Sequence, residues 1–142
     1  MKIPVAITIC ALTLAASFAT LGAQQPPSVL GGVFTADQAK RGEKVYADSC
    51  AACHGASLAG DLGPALAGKD FVAGWKDMTV GDLFDKVSST MPSNAPGSLM
   101  PGQYADIVAF VLNSNKYPAG QKDLPADVAA LKAVKMAVPP AP

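Results

Sequence analysis

Apolar residues recur along this chain at helical intervals, and nowhere do they alternate in the two-residue rhythm of a strand. Ala39, Gly42, Val45 and Tyr46 mark one face of a helix predicted over residues 36–49. Thr35 stands at its N-cap, and Gln38 three positions on completes a capping-box pattern. Phe71 and Trp75 fall in a short segment of one or two turns. Thr79 caps a helix over residues 80–89 with Leu83, Phe84 and Val87 on its apolar side and Asp82 near its positive end. Pro101 suits the first turn of the next helix, which runs to about Asn113 with Tyr104, Ile107, Val108, Val111 and Leu112 as its buried stripe. Residues 125–135 can form a last short helix around Val128, Leu131 and Val134. Between these lie a Gly- and Ala-rich loop over 55–68, a loop over 91–99 punctuated by Pro92, Pro96 and Gly97, and a turn at 117–120. The pattern predicts an all-α domain without internal repeats.

The N-terminal residues follow a different pattern. A basic start at Lys2, a mostly apolar and uncharged stretch from Ile3 to Leu21 and small Ala23 before Gln24-Gln25-Pro26-Pro27 read as a secretory signal peptide over 1–23, with an uncleaved membrane anchor as the rival. The expected organisation is then a flexible leader over 24–34, a domain over 35–115 and a C-terminal extension with a short helix over 116–142, in a periplasmic protein that is free, peripheral or anchored. Export would remove Cys10 and leave no cysteine for a structural disulfide. Lys and Arg number 11, as do Asp and Glu. The mature charge of about −1 lacks the basic face that nucleic acid demands. Large apolar residues are few for a domain of this size, so a bulky cofactor is expected to complete the core, and the chain without it to fold poorly.

That cofactor has an address. Cys50-Ala51-Ala52-Cys53-His54 is the attachment string of a c-type haem: two thiols spaced to take the two vinyl groups, and an imidazole adjacent to reach the iron. A thioredoxin-like dithiol would need a βαβ setting, and a zinc site would need a fourth ligand to complete a tetrahedron; the sequence offers neither. His54 is the only histidine, so a second imidazole from the same chain is excluded. The remaining donors are methionines: Met78, Met91, Met100 and Met136.

Over residues 35–114 the chain resembles class I cytochromes c. The glycine and aromatic that cross the last helix in that family match Gly42 and Tyr46, with Ile107 and Phe110 as the expected partners. The resemblance implies three to five helices around one covalent haem c. It implies that Pro64 accepts a hydrogen bond from His54 through its carbonyl, and that Trp75 lies in the haem pocket, either toward a propionate or as packing. It implies His54 and Met91 as axial ligands, since Met91 precedes Pro92 in a loop of the right length ahead of the last helix; Met100, at the start of that helix, is the alternative. Met91-Pro92, Pro96-Gly97-Ser98-Leu99, Tyr104-Ala105-Asp106-Ile107-Val108-Ala109 and Tyr117-Pro118-Ala119-Gly120 are similar to small exported cytochromes found beside quinoprotein dehydrogenases. The implied function is electron carriage in a respiratory chain, not catalysis. A quinoprotein dehydrogenase would be the donor and a terminal oxidase or another cytochrome the acceptor. The alternatives are a haem enzyme or gas binder with an open distal position, and a cytochrome subunit held in a dehydrogenase complex.

Overall fold

The computed structural model describes residues 27–140; the expected signal peptide, Gln24–Pro26 of the leader and the last two residues lie outside them. The described residues are helical, with isolated β-bridges in place of strands. Six α-helices follow a short 3₁₀ turn at Val29–Gly31: α1 (Ala36–Ser49), α2 (Ala51–His54), α3 (Lys69–Trp75), α4 (Val80–Thr90), α5 (Pro101–Ser114) and α6 (Val128–Lys132). This is the expected all-α fold. The count exceeds the expected three to five because Cys50, with φ −128° and ψ −33°, interrupts the first helix and sets off α2 as a separate turn. No helix among the described residues is long and apolar enough to cross a membrane.

Helices α1 and α5 cross to form the centre of the core. Their crossing is set by Gly42: a Cβ there would collide with the Asp106 carbonyl and come within 2.9 Å of Phe110 Cβ. Tyr46 packs on Phe110 with ring centroids 5.2 Å apart. The expected partner Phe110 is therefore in place. Ile107 is buried, but it is the backbone of Asp106 that meets Gly42. The stripe of α5 is buried along its length, from Tyr104 through Val108 to Leu112.

Thr35 caps α1 by accepting from Gln38 N–H at 3.0 Å. The Gln38 side chain does not return to the cap, as a capping box requires. It is buried and pairs instead with the backbone of Leu124, donating to its carbonyl at 3.0 Å and accepting its N–H at 2.6 Å. Thr79 and Asp82 form the full reciprocal box on α4.

The segment over 27–34, expected as a flexible leader, is laid onto the domain: Val29 and Phe34 are fully buried. The physical reason is the C-terminal extension. Lys135 N–H donates to the Pro27 carbonyl and Val29 N–H to the Lys135 carbonyl, both at 2.9 Å. Gly120 N–H donates to the Phe34 carbonyl at 2.6 Å, and Tyr117 O–H to the Ala137 carbonyl at 2.8 Å. Helix α6 packs on α4, and Leu131, Val134 and Met136 join the core. Arg41 adds a surface link, pairing with Asp106 at 3.2 Å and Asp123 at 2.6 Å.

Candidate functional site

Cys50 and Cys53 sit at either end of one helical turn, where residues three apart share a face. Both thiols are free and half-buried. Burial pushes the Cys50 thiol up, and the neighbouring Cys53 adds to it. Burial, with Cys50 contributing second, pushes the Tyr46 phenol up to about 12. Tyr46 O–H donates to the Gly55 carbonyl at 2.6 Å and so pins the end of α2.

The loop after the motif folds back to satisfy the carbonyls that α2 leaves open. Gly60 N–H donates to the His54 carbonyl at 2.9 Å, and Gly63 N–H to the Cys53 carbonyl at 2.8 Å. Leu58, buried and at φ 59°, accepts from Leu66 and Ala67. A left-handed leucine is uncommon and is held here by these contacts. The turn brings the Pro64 carbonyl to 2.8 Å from His54 Nδ1. A carbonyl only accepts, so Nδ1 carries a proton and Nε2 is the ring nitrogen left for a ligand. Gly63 lies against the same ring; a Cβ would come within 2.8 Å of His54 Cε1 and 2.9 Å of Nδ1. His54 is itself 8 % exposed.

This donor set fits a c-type haem: two free thiols on one face, a buried imidazole of fixed tautomer, and a backbone cradle that a single methyl group would fill. The zinc alternative lacks its ligands, because no group of three or more His, Cys, Asp or Glu side chains suited to a metal is assembled among the described residues. The dithiol alternative lacks its βαβ setting, there being no strand among them.

Met91 and Trp75 stand apart from this hydrogen-bonded group. Met91 ends α4 in extended conformation and is half-buried; its carbonyl accepts from Tyr104 O–H at 2.7 Å. Met100 is the N-cap of α5 and is 68 % exposed, with its N–H bound to Gln103 Oε1 at 3.0 Å. Met78 is exposed at the turn before α4, and Met136 is buried in the core. Trp75 is half-buried at the end of α3, its ring centroid 6.1 Å from that of Phe71, and it borders a surface depression with Met78, Asp82 and Lys86.

Two residues that sequence reasoning did not assign to the site hold its loops. Asn115, 5 % exposed, accepts from Gly68 N–H at 2.9 Å and donates to the carbonyls of Leu66 at 2.9 Å and Val111 at 2.8 Å. It fastens the end of the 55–68 loop to the end of α5. Tyr104 touches both ends of the 91–99 loop, accepting also from Leu99 N–H at 3.4 Å. Asn115 reads in sequence as a helix terminator and Tyr104 as part of an apolar stripe, so neither announces a polar role.

A family model described as cytochrome c oxidase, cbb3-type, subunit III matches residues 37–111, slightly more than half of the chain, from the first turn of α1 almost to the end of α5. Comparison with curated proteins and with solved structures gave no match.

Proposed function

The chain belongs to the family described as cytochrome c oxidase, cbb3-type, subunit III, and from that premise we propose that it passes single electrons between redox proteins through one haem with a His/Met ligand pair, as in class I cytochromes c. Covalent c-type haem and an electron-carrying role come with the family. When bound, the haem supplies a one-electron Fe(III)/Fe(II) couple.

The chain's own residues do the rest. Cys50 and Cys53 tether the group at two points. His54, donating from Nδ1 to Pro64, keeps its ring at one orientation and its Nε2 more basic. Met91 offers a neutral thioether, which favours the reduced state relative to a second imidazole. With His54 and Met91 both holding the iron, the chain would leave no place for a substrate. The absence of a second histidine leaves no distal imidazole to act as a base toward peroxide. Trp75 packs at the pocket edge.

The observation that carries this reading is the 2.8 Å contact between His54 Nδ1 and the Pro64 carbonyl, one turn from two free thiols. The partners we propose are redox proteins that dock briefly through a small interface: a dehydrogenase, of the quinoprotein kind, as donor, and a terminal oxidase or another cytochrome as acceptor. The compartment we propose is the periplasm, reached through the N-terminal signal peptide.

The test is spectroscopy of protein made with a working haem-attachment apparatus. Haem that stays with the polypeptide in acidic acetone is expected. So is the red charge-transfer band of a thioether on ferric iron, abolished by Met91→Ala and kept in Met100→Ala. Loss of the band in Met100→Ala alone would reassign the ligand. Rapid carbon monoxide binding by the unmutated ferrous protein would favour an open-site enzyme or gas binder.

A further inference from the structure

We propose that Tyr104 is a positioning residue for the Met91 ligand, latching the 91–99 loop so that the thioether is not readily displaced. The inference rests on Met91 being the axial ligand.

Tyr104 lies in the first turn of α5 and is 3 % exposed. Its hydroxyl donates to the Met91 carbonyl at 2.7 Å and faces the Leu99 N–H at 3.4 Å. One oxygen thus holds the first and last residues of the loop. Among the described residues, Tyr104 supplies the side-chain hydrogen bonds that reach residues 91–99. The other hydrogen bonds within the loop are local backbone turns, Ala95 to Pro92 at 2.9 Å and Ser98 to Ala95 at 3.2 Å, with a long bond from Gly97 to Met91 at 3.4 Å; the Leu99 side chain packs on the core at the loop's far end. Residues 93–98 are exposed and add no buried side chain to hold the loop shut. The phenol reaches the Met91 backbone and fixes the point from which the side chain extends. Its loss leaves the ring in the core and frees that point.

The experiment uses the haem-loaded ferric protein with imidazole as the probe ligand. Apparent affinity for imidazole scales with the fraction of molecules whose loop is open. Removing one buried hydrogen bond should raise that fraction roughly three- to tenfold. Tyr104→Phe is expected to keep its haem and its red charge-transfer band at neutral pH, and to bind imidazole more tightly by that factor. Tyr117→Phe is the control: it deletes a comparable bond, to the Ala137 carbonyl at 2.8 Å. It should lower thermal stability and leave imidazole affinity unchanged. Unchanged affinity in Tyr104→Phe overturns the inference, as does an equal rise in Tyr117→Phe, which would mark a general loosening of the fold. Met91→Ala separates the two levels. If it leaves imidazole affinity at the wild-type value, the ligand assignment fails; if it raises affinity while Tyr104→Phe does not, only the latch fails.

Discussion

The loop that follows the haem-binding turn and the loop that carries Met91 are held by different means. Residues 55–68 are bonded back onto the haem-binding turn itself, through Gly60 and Gly63, and are closed at the far end by two hydrogen bonds of Asn115. Residues 91–99 are mostly exposed; Leu99 packs on the core, and one phenol supplies the side-chain hydrogen bonds that reach them. The imidazole is thus part of a cross-braced turn, whereas the proposed thioether hangs on a loop with a single latch. If Met91 is the second ligand, one protein fixes one ligand in place and leaves the other able to exchange. Such exchange would be governed by local opening of the loop, well below the cost of global unfolding.

The most damaging change to the braced side is His54→Ala. It is expected to abolish accumulation of haem-loaded protein, read by haem staining of denaturing gels. Gly63→Ala comes next. The added methyl would press on the His54 ring at 2.8 Å, and overpacking of this kind costs about 1–3 kcal/mol. Denaturant unfolding should report that loss, with a changed low-spin spectrum from the displaced imidazole. Asn115→Ala strips two backbone groups, Gly68 N–H and the Leu66 carbonyl, of their partner and should cost about 2 kcal/mol. The latched side should respond differently: Ser93→Ala and Asn94→Ala, both exposed, should change stability by less than about 0.5 kcal/mol. A cost above 1 kcal/mol for either would erase the contrast.

The smallest effect is that of acid. Hydrogen bonds from Thr79 hold the Asp82 carboxyl below the usual range, and hydrogen bonds from Thr35 and then Arg41 do the same for Asp123. A carboxyl depressed in the folded state binds its proton more readily when unfolded. Its stabilising effect is present above the ordinary carboxylate pKa of about 4 and is lost as pH falls through the lower folded value. Both groups are exposed to solvent screening, so the melting temperature should hold from neutral pH to about 5 and decline modestly below about 4. Asp82→Asn should flatten only part of that decline.

The fold and the site were legible in the sequence to different depths. Helix α1 begins and ends where its stripe and its Thr35 cap predict, and α5 starts at Pro101 as expected. These elements are specified by local periodicity and capping. The Cys50–His54 turn and its Pro64 partner were equally open to reading, because the family pattern encodes them in short spacings. What stayed hidden is long-range pairing. Gln38 has the form of a capping-box residue, yet it bonds to Leu124, 86 positions away. Val29 and Phe34 sit in a Pro- and Gly-rich stretch and still reach the core, because the extension closes over them. Tyr104 obeys the apolar period of α5 while its one polar atom does separate work. No local rule contains the partner in these cases.

The seam between Pro27, Val29 and Lys135 has a mechanical consequence. Its two segments run parallel, so a pull on the chain from opposite ends draws them past each other along their length. The two 2.9 Å backbone bonds would then be loaded in shear, sharing the pull with the bonds that tie Met136 to Met78 and Ala137 to Tyr117.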